Sequence, residues 1–219
     1  MTSAMETIAR WARAGQRAFG LMAFHLRQAT PRKRDTRRVN LGSGKHPAPG
    51  YLNIDIDAGA DLCLNLMTTN LPLADSSADV VVCMSAINYF TRERAAELVA
   101  EVHRVLKPGG IVRFGVQDME KLARLYVNRD ETFFMQKLPD GRDRFDGPTM
   151  GDKFAAWFYG YAAGGSPCRY FYDFESLAWL FRRAGFSRVE RKDYQASAIA
   201  EVKELDNRPE QMFFLEAVK

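Results

Sequence analysis

The sequence predicts an α/β fold: a doubly wound, mostly parallel sheet flanked by helices, with a C-terminal antiparallel strand and an insertion after strand five. Three observations carry this. From Val39 onward, short apolar strand signals alternate with segments of helical periodicity, the pattern of a parallel sheet covered by helices. The first of these runs ends in Gly42-Ser43-Gly44 and the second ends in the carboxylate of Asp55. The run Ala78-Asp79-Val80-Val81-Val82-Cys83-Met84 is β-branched and apolar, as a central strand buried on both faces must be.

The elements follow in order. Arg37–Leu41 and Tyr51–Ile56 read as strands one and two, Asp61–Asn65 as a short third, and Ala78–Met84 as the fourth. Thr91 can cap a helix carrying Ala95, Leu98, Val99, Val102, Val105 and Leu106 at helical spacing. Lys107-Pro108-Gly109-Gly110 stops it, and Ile111–Val116 is strand five. Residues 119–172 break the rhythm with helical stretches at Met119–Val127 and Lys153–Tyr161, a turn-rich segment from Pro139 to Gly147, and many aromatics. This insertion is expected on the side where ligands bind, beyond the carboxyl ends of the strands. Asp173 caps a helix through Phe181 that ends at Ala184-Gly185, and Phe186–Arg191 and Met212–Val218 form a final pair of strands.

The spacing of the glycines decides between nucleotide sites. A P-loop needs a glycine five residues before its Gly-Lys and a Ser or Thr after it; Val39 and His46 stand there instead. A dinucleotide fingerprint needs a third glycine where Pro47 lies, and an acid later than Asp55. Between Gly44 and Tyr51, two prolines leave room for one helical turn at most, so no helix N-terminus is available to a phosphate. A glycine turn lets backbone approach a ligand, and a carboxylate at the next strand tip can accept from two ribose hydroxyls. The expected cofactor carries adenosine and no phosphate.

Composition sets wider bounds. At 219 residues and 47% apolar, the chain suits one α/β domain with a sizeable core. Cys63, Cys83 and Cys168 are odd in number and widely spaced, which argues against a zinc site or a disulfide framework and fits a reducing cytoplasm. No metal site is expected. Phe19–Phe24 is too short for a signal-peptide core, and no run is long enough to cross a bilayer. A cytoplasmic protein, or one peripheral to a membrane, is the expectation. Residues 1–38 hold nine basic side chains against two acidic ones, an excess of +7 in a chain of net charge +4.

The order of these pieces resembles the class I S-adenosylmethionine-dependent methyltransferases, and among them a small methyltransferase-domain family. The matching stretches are Asn40–Gly44, Leu52–Ile56, Asn70–Val82 and Glu101–Gly110, with a fainter match at Tyr172–Leu177 and Ala184–Phe186. The resemblance implies a Rossmann-like fold over residues 37–219 and S-adenosylmethionine as cofactor. It implies that Gly42 and Gly44 pass under the methionine part, that Asp55 holds the ribose, and that Asn65 and Leu66 flank the adenine. Met84 would face the sulfonium through its backbone, with Asn40, Ser43 and Ile56 completing the cofactor set. Two positions depart from the family. Asn40 replaces the acid that often opens the glycine motif, and Ile87-Asn88-Tyr89 replaces a frequent Leu-Glu-His, so the acceptor chemistry is not inherited.

The expected reaction is methyl transfer to a small-molecule or glycan-like acceptor, at oxygen. The catalytic residues stay unassigned. His46 and Asp118 are candidate bases and Tyr89 a weaker one, against the plainer readings of a loop residue for His46 and a helix cap for Asp118. His103 and Asp79 are expected to be structural. Arg169 can pair with an acidic acceptor, and the aromatics of 154–172 are expected to be mostly core, with one or two at the pocket.

At 100° per residue, Met5, Ile8, Trp11, Ala12, Phe19, Met22 and Leu26 share one face and Arg10, Arg13 and Arg17 the opposite one. Residues 1–36 thus form a basic amphipathic arm. Through residues 5–29 it can lie on an anionic membrane or pack on the catalytic domain or a second subunit. Nucleic acid is not expected, because Trp11 and Phe19 face away from the arginines. The rival functional reading is a non-catalytic, cofactor-binding regulator that acts through this arm. A nucleotide-dependent oxidoreductase is disfavoured by Pro47 and the short turn.

Overall fold

Seven strands form one sheet in the order β3-β2-β1-β4-β5-β7-β6 in the computed structural model, which describes residues 37–159 and 167–219. The strands are β1 (Arg38–Leu41), β2 (Leu52–Asp55), β3 (Leu62–Cys63), β4 (Ala78–Met84), β5 (Leu106–Gln117), β6 (Arg188–Lys192) and β7 (Met212–Val218). β1 to β5 pair in parallel, and β7 runs antiparallel between β5 and β6. The strand order reverses at β1, which lies between β2 and β4. In an open parallel sheet such a reversal opens a crevice at the carboxyl ends of the strands. The amphipathic arm read in residues 1–36 lies outside the described residues.

The two faces of the sheet are covered differently, and the pleat of β4 shows how. Val81 and Cys83 point into the main core, which takes in Leu98, Val99 and Val102 of α1 (Arg92–Val105) and Leu177 and Phe181 of α5 (Phe174–Arg183). Burial there pushes the Cys83 thiol up to about 12, so it behaves as a small apolar side chain. Val80, Val82 and Met84 point the other way, against Ala48, Tyr51, Ile199 and Leu205. This second face is covered by the 48–51 loop and the 193–211 segment, which contains only the single-turn α6 (Val202–Leu205). Both long helices are capped as read: Thr91 accepts from the Arg94 amide, and Asp173 with Ser176 forms a capping box.

The segment after β5 builds a separate small core. Leu122 of α2 (Met119–Val127), Phe133 and Phe134 of α3 (Glu131–Phe134), Phe145, and Met150 and Trp157 of α4 (Met150–Tyr159) pack together. The aromatics are therefore mostly structural, and the helix expected from Lys153 begins three residues earlier. Its continuation past Tyr159 lies outside the described residues.

Strand five is longer than its apolar run suggested. α1 stops at Val105, and Leu106 already pairs with Ala78, so Lys107-Pro108-Gly109-Gly110 belongs to the strand as an irregular entry. Pro108 cannot continue a helix, and it favours an extended residue before it. Gly109, at φ +78°, then donates its amide to the Lys219 carbonyl.

A candidate cofactor cleft at the sheet reversal

β1 ends in a turn that glycine alone fills. Gly42 has φ +69°, and a Cβ there would stand 2.3 Å from the Cβ of Ala86. Gly44 has φ +53°, and its amide donates to Asp55 Oδ2 at 2.9 Å, while the Asp57 amide donates to Oδ1 at 2.9 Å. Each carboxylate oxygen keeps a further lone pair for a ligand hydroxyl. No helix forms between Gly44 and Tyr51. Asn53 organises the loop instead: its Oδ1 accepts from the Ala48 amide at 2.7 Å and from Asn40 Nδ2 at 2.9 Å. Its Nδ2 donates to the Tyr51 carbonyl and to Asp61.

The cleft has two lobes of about 400 and 440 Å³, the size range of small-molecule sites. Gly42, Asp55, Ala86 and Tyr89 line both, so the lobes meet there. All nine residues read as cofactor-binding line one lobe or both. Asn40, Ser43, Gly44 and Met84 belong to the first, and Ile56, Asn65 and Leu66 to the second. Asn65 and Leu66 are held by local bonds: Asn65 Oδ1 accepts from the Met67 amide, and the Leu66 carbonyl accepts from Arg94 Nε at 2.9 Å.

Three properties fit a nucleoside linked to an amino acid. The Oγ of Ser43 is buried at the first lobe without a hydrogen-bond partner. The Gly42 cradle would be closed by any side chain. The Asp55 carboxylate lies where the lobes join.

The candidate bases separate sharply. Asp118 is buried, accepts from the Glu120 and Lys121 amides as the cap of α2, and pairs with Arg191 at 2.8 Å. It lines neither lobe, so the helix-cap reading holds. His103 packs edge-on to Phe186 at 5.0 Å, and burial holds it below the usual histidine range. His46 is exposed and lines the first lobe. Tyr89 sits on the 3-10 turn Ile87–Tyr89, and burial raises its phenol above the ordinary value despite the nearby Arg208 cation. Arg169 lines the second lobe with Pro167.

The sequence reading missed the far wall of the first lobe. Glu201, Glu204, Asn207 and Arg208 come from the 193–211 segment, which carries no motif. Its anchor is a buried ion cluster. Arg113 on β5 donates through Nε and Nη2 to Asp206 at 2.8 and 2.5 Å, and through Nη1 to Glu216 at 2.8 Å. Arg113 and Asp206 are fully shielded from solvent. An arginine within an apolar strand was the one available signal, since such a charge requires partners.

Residues 52–114 match the family described as "Methyltransferase domain". An uncharacterised methyltransferase-like protein of Schizosaccharomyces pombe is 32% identical over 118 residues, which cover 52% of this chain and 38% of that protein. A Mus musculus protein named "Probable tRNA methyltransferase 9B" is 36% identical over 70 residues, covering 32% of this chain and 15% of that one. The chain thus spans well under half the length of these curated relatives. A solved S-adenosylmethionine-dependent methyltransferase of Mesorhizobium loti is 22% identical with a TM-score of 0.45, covering 89% of this chain and 96% of its own. The sheet order and the cleft define an α/β domain with a two-lobed cleft at its carboxyl edge. Within that domain, residues 52–114, from β2 into β5, are the part similar to a methyltransferase domain. Among the described residues, no helix is long and apolar enough to cross a membrane.

Proposed function

We propose that the protein transfers a methyl group from S-adenosylmethionine to a hydroxyl of a small-molecule or glycan-like acceptor. The observation that carries this reading is the junction of the two lobes, where Gly42, Asp55 and Tyr89 meet. When bound, the cofactor supplies a methyl on a positively charged sulfur, which is a good leaving group. Asp55 would accept from the ribose hydroxyls, Ile56, Asn65 and Leu66 would enclose the adenine, and Met84 would face the sulfur through its backbone. Asn40, Ser43 and the backbone of Gly42 and Gly44 would take the amino-acid end. Positioning of the acceptor supplies most of the acceleration in such a displacement.

A hydroxyl acceptor must lose its proton during attack. The raised phenol of Tyr89 keeps its own proton at neutral pH, so Tyr89 serves as a hydrogen-bond donor that orients the acceptor oxygen. His46, exposed in the first lobe, would receive the proton. Incubating the protein with labelled methyl donor and a cell extract, then identifying the product by mass spectrometry, tests the reading. Label on an oxygen of a small or glycan acceptor is expected; label on nitrogen or carbon, or none, contradicts it. In that assay Tyr89→Phe should lower the rate about tenfold or more, the worth of one good hydrogen bond, with cofactor affinity changed less than about twofold. An equal loss of cofactor affinity would remove Tyr89 from acceptor positioning.

A further inference from the structure

We propose that Arg208 selects an acceptor bearing an oxyanion, a phosphate ester or a carboxylate, close to the hydroxyl that is methylated. This deepens the proposed function and rests on it. Arg208 lines the first lobe together with Tyr89 and His46. Its Nη2 donates to Ser85 Oγ at 3.0 Å and its Nε to Asn207 Oδ1 at 3.0 Å. Both partners are neutral, and among the described residues no carboxylate pairs with Arg208. Arg38, by contrast, is neutralised by Glu201 on the same wall. Three of the five guanidinium donors of Arg208 remain for a ligand, and they form the planar fork that matches carboxylate and phosphate oxygens.

The placement is held rather than incidental. Arg208 has φ +51°, a left-handed backbone conformation that non-glycine residues adopt only when their surroundings impose it. Two residues earlier, Asp206 is locked by the buried Arg113, and it also accepts from the Gln195 amide at 2.7 Å. The guanidinium is thereby fixed beside Ser85, which directly follows β4 and has φ +57°. The amino-acid end of the cofactor has other polar groups available at the glycine turn, among them the unpartnered Ser43 Oγ. Arg208 shares the first lobe with Tyr89, the residue proposed to orient the acceptor. A cation there attracts an anionic acceptor and fixes its orientation through paired bonds.

The test uses the full chain saturated with S-adenosylhomocysteine and three probes: glucose 6-phosphate, glucuronate and glucose. Saturation-transfer NMR titrations are run on the wild type, R208Q and R208K. At least one of the two anionic sugars should bind the wild type saturably and tenfold or more tighter than glucose; which one binds separates phosphate from carboxylate. R208Q should lose that preference, R208K should retain part of it, and both should bind S-adenosylhomocysteine within about twofold of the wild type. Arg208 is exposed, and equal melting temperatures would verify that the variants fold. Three results overturn the proposal. The first is an anion preference that survives in R208Q, which assigns it to another basic surface. The second is a wild type with no anion preference. The third is displacement of S-adenosylhomocysteine by the anionic sugars while R208Q binds it tenfold more weakly, which assigns Arg208 to the cofactor's own carboxylate. Failure of the wild type to bind S-adenosylhomocysteine at all strikes the cofactor reading itself, and the proposal with it.

Discussion

Asp55→Ala is expected to weaken S-adenosylmethionine binding by about 10- to 150-fold, measured by calorimetry. The range corresponds to losing hydrogen bonds to a charged acceptor, about 1.5–3 kcal/mol. Asp55 would act twice. It would accept from the ligand, and it already accepts from the Gly44 and Asp57 amides that shape the turn beside the ligand. Asp55→Asn separates the two parts, because the amide keeps one acceptor oxygen and turns the other into a donor. Its affinity should fall between those of the wild type and the alanine variant. Unchanged affinity in Asp55→Ala would refute the ribose assignment.

Arg113→Met should be the most destabilising single change in the described structure. It leaves Asp206 buried with one amide donor and Glu216 without its cation, and breaking a buried pair costs about 3–5 kcal/mol. For a chain of this length that is a fall in melting temperature of about 6–20 °C. The loss should extend beyond stability, because the 193–211 segment forms one wall of the first lobe. Replacing Arg113, Asp206 and Glu216 together by Met, Leu and Leu removes the uncompensated charge, and most of the melting temperature should return. A single variant that melts within 2 °C of the wild type would show that the cluster holds nothing in place.

What was legible in the sequence follows from how local each signal is. The Gly42–Gly44 turn and Asp55 were legible because the two strands are short, adjacent and joined by a loop that two prolines keep from forming a helix. The capped helices were legible for the same reason, since Thr91 and Asp173 each bond an amide three residues away. The entry to β5 was misplaced because Pro108 and two glycines look like a stop in isolation. The bonds of Gly109 and Gly110 to Lys219 are a tertiary fact. The 193–211 wall was invisible because its fold depends on a contact between residues 93 apart in the chain. Arg208 accordingly carried no sequence signal, although it stands at the cleft with its charge unpaired among the described residues. Asp118 failed as a base for a local reason, since the same carboxylate that ends β5 also begins α2.

A crystal structure with S-adenosylhomocysteine tests the account at its centre. The account predicts ribose hydroxyls on the Asp55 carboxylate, adenine between Ile56 and Leu66, and the amino-acid end over Gly42 and Gly44 with Ser43 Oγ engaged. A ligand bound outside the two lobes, or lobes closed by side chains with no ligand in them, would contradict it.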